Sequence, residues 1–351
     1  MPVDTPDDPA RTLLAWYDAH ARALPWRTPP GAATRPDPYR VWLSEVMLQQ
    51  TTVAAVGPYF AKFTTRWPTV SALAAADEAE LMAAWAGLGY YARARNLIAC
   101  ARAVARDHGG AFPDSEEGLR ALPGIGAYTA AAIAAIAFGR RAVVVDANVE
   151  RVVTRLFAIR EPLPAARPRI RDYTDSITPD QRAGDFAQAM MDLGATICTP
   201  RNPRCLACPL SAGCMARAEG APEIYPVKAA KKPRPLRRGT AYWLQSEGAV
   251  LLVRRPDKGM LGGMRALPGG DWGDIAELAP PMAADWRPLG TVAHVFTHFA
   301  LSLDVMAMEL PGRPIEGEWW PLDRLDEAGL PTLYARAADL GRAFSEEALA
   351  A

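Results

Sequence analysis

The hydrophobic period of this chain changes once, and that change limits what it can fold into. Up to about residue 224 the apolar residues recur at helical spacing: Leu13, Leu14 and Tyr17, then Val41 to Gln50, Leu81 to Trp85, and Ile133, Ile136 and Ala137. Beyond residue 240 short strand-like runs take over, Thr240 to Gln245 and Val250 to Arg254, with a clear alternation in Phe299, Leu301, Leu303 and Val305. At 351 residues the chain is long enough for two domains. The expectation is an all-α domain over 1–224 and a small α/β domain over 240–351, with a helix near Leu333 to Leu340. Breaks such as Trp67-Pro68-Thr69 and Leu122-Pro123-Gly124-Ile125-Gly126 separate the helices of the first half. Residues 225–239 hold six basic residues, three prolines and no acid, which reads as a semi-extended linker. It serves either as a solvated tether or as a tether lying along phosphate.

A net charge of zero argues against a nucleic-acid partner only if the charge is evenly spread. Residues 241–351 hold 9 basic and 16 acidic residues, a net of −7, which leaves 30 basic and 23 acidic residues, a net of +7, in residues 1–240. The basic front can displace counterions from phosphates while the acidic back limits indiscriminate binding. The first residues carry neither a basic segment nor an apolar core, and no stretch approaches eighteen strongly apolar residues without charge. The expectation is a cytoplasmic protein with no membrane partner.

Four of the five cysteines crowd into 198–214, which in a reducing compartment points to metal rather than disulfides. The spacing Cys198-x6-Cys205-x2-Cys208-x5-Cys214 suits zinc or an iron–sulfur cluster, and does not choose between them. Cys100, on an apolar helical stretch away from the others, reads as a buried structural thiol. At the end of an all-helical domain, the four-cysteine spacing resembles the cluster loop of the endonuclease III and MutY branch of DNA glycosylases. That resemblance implies one 4Fe-4S cluster per chain. Arg201 and Arg204, inside the first cysteine interval, then either sit against phosphates or form a solubilising pair.

In Leu122-Pro123-Gly124-Ile125-Gly126, two glycines stand where helices meet at a sharp turn, before the small-residue helix Ala127 to Phe138. Glycine permits a positive φ and a close backbone approach, and the next helix offers unpaired N–H groups to an anion. The segment resembles the helix-hairpin-helix of the same superfamily, so Leu122, Gly124 and Gly126 are expected at the DNA backbone. Two residues on, where bifunctional relatives place a lysine nucleophile, this chain has Tyr128; without that amine, imine chemistry has no nucleophile there.

Asp146, in Val143-Val144-Val145-Asp146-Ala147-Asn148-Val149, stands between an apolar run and a helix, where a plain N-cap is one explanation. The resemblance makes it the superfamily's catalytic aspartate as well. Glu45 lies in Trp42-Leu43-Ser44-Glu45-Val46-Met47-Leu48-Gln49-Gln50-Thr51, with Val41, Trp42, Leu48 and Gln49 one turn away. That flank disfavours the charged form by desolvation, whereas a random helical glutamate would be an exposed ion-pairing one. The string resembles the first catalytic motif of the MutY family. The family's chemistry asks for an acid to protonate the departing adenine and a carboxylate to stabilise or trap the oxocarbenium-like sugar. The resemblance gives Glu45 the first role and Asp146 the second, with Tyr128 and Asn148 orienting the pair and the water.

Reaching a base in a duplex requires extrusion. Gln50 and Tyr90 match the family's wedge and lesion-side positions, against a core-packing role for Tyr90 and Tyr91. Asp192 stands where some relatives carry glutamate, and its shorter side chain weakens any contact to the adenine edge. The back domain resembles the Nudix-like domain of MutY proteins. Leu267-Pro268-Gly269-Gly270 begins like a pyrophosphohydrolase site, but prolines break the helix that should follow, so the domain is expected to be non-hydrolytic. Phe296-Thr297-His298 matches the loop that reads 8-oxoguanine, with threonine for serine; a satisfied strand-end histidine is the plainer account of His298. Together the motifs imply a monofunctional adenine DNA glycosylase of base excision repair, monomeric and acting on duplex DNA with adenine opposite 8-oxoguanine or guanine. The nearest competitor is an endonuclease III-like glycosylase/lyase for oxidised pyrimidines, disfavoured by Tyr128, Glu45 and the extra domain. A redox-responsive DNA-binding regulator would need no acid pair.

Overall fold

The computed structural model describes residues 8–229, 233–256, 259–296 and 298–350, and the chain divides into two compact units, 1–230 and 231–351. In the first unit every regular element is helical: α1 (Pro9–His20), α2 (Pro38–Leu48), α3 (Val53–Arg66), α4 (Val70–Ala74), α5 (Glu78–Trp85), α6 (Ala92–Asp107), α7 (Glu116–Arg120), α8 (Ala127–Ile136), α9 (Ala147–Leu156), α10 (Arg167–Ile177), α11 (Ala183–Thr196) and α12 (Met215–Ala218). The starts are set by side chains. Asp37 accepts from Tyr39 N at 2.9 Å and Asp146 from Val149 N at 2.7 Å, supplying partners for amides that have none inside the helix.

One core built around Trp42, Phe60, Phe63, Trp85, Leu43 and Met47 joins these helices. The alanine-rich α8 is buried from Thr129 to Ala135, so it is a central strut with neighbours all round. α11 reaches both α8 and α9 closely. A Cβ at Gly184 would stand 2.4 Å from Ala135 O, and one at Gly194 would stand 2.6 Å from Asn148 Cβ. Only glycine allows that approach, which seats α11 against both helices.

α2 ends at Leu48, two residues before the expected end at Gln50, because Gln50 takes φ 57°. The segment expected as a linker is partly structured. Tyr225 is buried, Val227 O accepts from Leu163 N at 2.9 Å, and Leu236 onward belongs to the sheet.

The second unit has β1 (Leu236–Ser246), β2 (Ala249–Arg254), β3 (Arg265–Ala266), β4 (Arg287–Val295), β5 (Ala300–Leu310), β6 (Glu318–Pro321) and α13 (Thr332–Ala350). The sheet order is β3-β2-β1-β5-β4, with β6 paired to β2. β1 and β5 run parallel from Leu236↔Ala300 to Ser246↔Leu310, and the other pairings are antiparallel, so the sheet is mixed. β1 is buried along Gly239–Ser246, as a central strand covered on both faces should be, while β5 alternates with Leu301, Leu303 and Val305 inward. α13 packs on the sheet through Leu333, Tyr334, Ala337 and Ala338. Residues 274–286 contain no helix, so the second glycine-rich loop is not followed by one.

Candidate active site

A cavity of about 400 Å³ in the first unit gathers Glu45 with Tyr128, Asp146 and Asn148, which lie 83 to 103 positions later in the sequence. α2 brings Glu45, the second residue of α8 brings Tyr128, and the N-cap and second residue of α9 bring Asp146 and Asn148.

Glu45 is 7% exposed, and Tyr128 Oη donates to its Oε2 at 2.7 Å. Burial pushes its carboxyl up to about 7; the Tyr128 hydrogen bond opposes this, the negative charge of Asp146 reinforces it, and the Arg27 cation opposes it. Burial, then the two carboxylates, raise the Tyr128 phenol well above its usual range, so it stays a hydrogen-bond donor. Asp146 does two jobs. Its Oδ1 caps α9, and its Oδ2 accepts from Asn148 Nδ2 at 2.9 Å. Asn148 Oδ1 in turn accepts from Arg151 Nη2 at 2.8 Å, and Arg151 donates to Gly194 O at 2.6 Å and to Cys198 O at 2.7 Å. A continuous hydrogen-bonded path therefore joins the first cysteine to the Asp146 carboxylate.

Sequence reasoning missed Arg22, Trp26 and Arg27, which line the same cavity from the loop after α1. The available signal was a tryptophan flanked by two arginines in a loop. Asp192, fully buried, accepts from Arg22 Nε at 2.6 Å, Arg22 N at 3.0 Å and Arg27 Nη1 at 2.7 Å. It is not among the residues lining the cavity. Its carboxylate is spent on holding two arginines.

Gln50, which lines the cavity, is exposed at φ 57°, and Tyr90 is 57% exposed at φ 51°, while Tyr91 is half-buried against the core. Of the hairpin residues, Gly124 has φ 74°. Gly126 is extended at φ −85° and caps α8 without a side chain, leaving its first amides uncapped. Leu122 is buried and its carbonyl accepts from Ile125 N at 3.2 Å, so it builds the turn from the inside.

Cys198, Cys205, Cys208 and Cys214 line one small cavity together with Arg155. No group of three or more His, Cys, Asp or Glu among the described residues stands close enough to grip a single ion; four sulfurs round a shared space fit a polynuclear cluster. Arg155, 2% exposed, donates to Cys198 Sγ at 3.3 Å and to Thr199 O at 2.7 Å, bracing the loop. Arg201 is exposed, whereas the Arg204 guanidinium donates to Thr196 O at 2.5 Å and so is partly committed to the loop itself. Cys100 is 1% exposed, and burial pushes its thiol up to about 12.

In the second unit Phe296 stacks on Trp272 with centroids 5.5 Å apart and meets His294 edge-on at 4.6 Å. His298 is exposed, and Thr297 lies outside the described residues.

Residues 43–171 match the HhH-GPD superfamily of base excision DNA repair proteins, 198–214 the iron–sulfur binding domain of endonuclease III, and 239–340 the NUDIX domain. The human adenine DNA glycosylase is 36% identical over 365 residues, spanning 86% of this chain and 67% of that protein. The Mycolicibacterium smegmatis adenine DNA glycosylase is 45% identical over 210 residues, spanning 60% of this chain and 70% of its own length. Among solved structures, a thermostable thymine-DNA glycosylase superposes with a TM-score of 0.54 at 32% identity, over 60% of this chain and 95% of that one. With an iron–sulfur motif on its helical unit and a Nudix-like unit behind it, the chain belongs to the MutY family of adenine DNA glycosylases.

Proposed function

We propose that this DNA glycosylase hydrolyses the N-glycosidic bond of adenine mispaired with 8-oxoguanine or guanine, without strand cleavage. The observation that carries the proposal is a buried carboxyl, Glu45, pushed up to about 7 and held by Tyr128 on the cavity that Asp146 also lines. A carboxyl that keeps its proton near neutral pH can give it to a leaving base, and a second carboxylate can stabilise the cationic sugar. Glu45 is the acid, Asp146 the stabiliser or transient nucleophile, and Asn148 and Tyr128 hold their oxygens. The absence of lysine from the residues lining the cavity favours hydrolysis over imine chemistry.

Gln50 and Tyr90 enter the duplex as the base leaves it, and Gly124 and Gly126 bring backbone amides to phosphate. The four cysteines hold the 4Fe-4S cluster, which stiffens the loop that carries Arg201 and Arg204 toward the DNA backbone. The unit after residue 230, with Phe296, Thr297 and His298, reads the partner base and hydrolyses no nucleotide; the protein works as a monomer in the cytoplasm. No helix among the described residues is long and apolar enough to cross a membrane.

The test incubates purified protein with duplexes carrying adenine opposite 8-oxoguanine, guanine or thymine, and with thymine glycol and thymine:guanine duplexes. Free adenine should come only from the first two, with intact strands. Nicked thymine glycol DNA or released thymine would overturn the proposal.

A further inference from the structure

We propose that Arg93, in the first turn of α6, is the positioning residue that sets Gln50 and Tyr90 for entry into the duplex, and so governs base extrusion rather than bond cleavage. This rests on the proposed roles of Gln50 and Tyr90.

Arg93 is 9% exposed, and every partner it has among the described residues is neutral. Its Nη1 donates to Val46 O at 3.0 Å and Met47 O at 2.9 Å. These are last-turn carbonyls of α2, the helix that carries Glu45, and they have no partner within that helix. Its Nη2 donates to Thr51 Oγ1 at 3.2 Å, Leu88 O at 3.2 Å and Gly89 O at 3.3 Å. The guanidinium therefore joins the residue after Gln50 to the residue before Tyr90. Its plane also lies 5.2 Å from the Trp85 ring centroid and 5.6 Å from that of Tyr90.

Burying a cation away from any carboxylate is costly, and Arg93 Nε has no hydrogen-bond partner among the described residues. An apolar side chain would brace α6 more cheaply. What an apolar side chain lacks is a planar fork that reaches two loops at once. Both loops need such a hold, because each turns on a non-glycine residue in the left-handed region, Gln50 at φ 57° and Tyr90 at φ 51°. A strained conformation persists only where its surroundings over-determine it. Arg93 supplies that for both, ahead of DNA binding, so the ordering cost of the wedge is met during folding.

The test measures extrusion and chemistry separately. Extrusion is read by the fluorescence of 2-aminopurine opposite guanine in a Glu45→Gln background, and chemistry by single-turnover adenine release across pH. Arg93→Met should lower the extruded fraction and the release rate together by about tenfold, with the pH midpoint of release unmoved. Arg93→Lys keeps the cation but not the fork, and should fall nearly as far; it carries the test alone if Arg93→Met does not yield folded protein. Unchanged extrusion in the Arg93 variants, or a moved pH midpoint, overturns the proposal. Gln50→Ala and Tyr90→Ala run alongside. If both leave extrusion intact, the wedge assignment itself is wrong; if both abolish it while the Arg93 variants do not, only the role of Arg93 fails.

Discussion

Glu45 shows how one buried carboxyl links activity to stability. Burial raises its pKa from 4.5 to about 7, so the folded chain holds that proton more tightly than the unfolded chain does. Its contribution to stability is complete below about pH 4.5 and is lost as pH rises through about 7, a loss of up to about 3 kcal/mol. Activity should fall over the same upper limb, since the acid must be protonated to work. Glu45→Gln should abolish adenine release yet raise the melting temperature at pH 9, with the two proteins converging toward acid pH; equal melting at pH 9 would contradict burial as the cause. Asp146 separates its two jobs differently. Asn at 146 still caps α9, so Asp146→Asn should leave stability within a few tenths of a kcal/mol while slowing release by about a hundredfold or more. Asp146→Ala should lose about 1 kcal/mol in addition, measured by urea unfolding.

At the scale of elements, the site depends on how closely helices approach. Gly194 lets α11 lie against the start of α9, where its carbonyl accepts from Arg151 and its missing side chain leaves room for Asn148. Gly194→Ala should push Asn148 away from Asp146 and cut single-turnover release about tenfold, with the iron–sulfur absorbance retained. Gly126 is the contrasting case. A Cβ there meets nothing within 4 Å and its φ suits alanine, so Gly126→Ala should leave the melting temperature unchanged. Any loss then belongs to the phosphate approach, and should appear as weaker duplex binding with the rate at saturating enzyme retained. The starts of α8 and α9 were legible because Gly126 and Asp146 are conventional start signals. The early end of α2 was not, since it lies in the left-handed turn at Gln50, φ 57°, which no local start or stop signal announces.

The whole molecule joins a helical unit, residues 1–230 with a net charge of +2, to a mixed-sheet unit, residues 231–351 with a net of −2, and five basic residues without an acid fall in 231–240. A chain ending at residue 230 retains every cavity and cysteine residue named above, so it should still release adenine opposite guanine. It should lose most of its preference for 8-oxoguanine as the partner base, measured as the ratio of single-turnover rates on the two duplexes. An unchanged ratio would remove the second unit from partner recognition. Affinity of the full chain should fall steeply with salt, because residues 1–240 carry a net charge of +7 that the acidic remainder balances.

The chain's order of residues alone carried the two-part architecture and the cysteine loop, because periodicity and spacing are local properties, while Glu45, Tyr128, Asp146 and Asn148 stood out as candidates through their resemblance to the family's motifs. Only the tertiary structure decided that Glu45 is buried on the hydroxyl of Tyr128, that Asp192 is consumed by Arg22 and Arg27, and that Arg151 ties the cysteine loop to Asp146. Those facts depend on desolvation and on donors brought from distant helices. Neither quantity exists until the helices have packed.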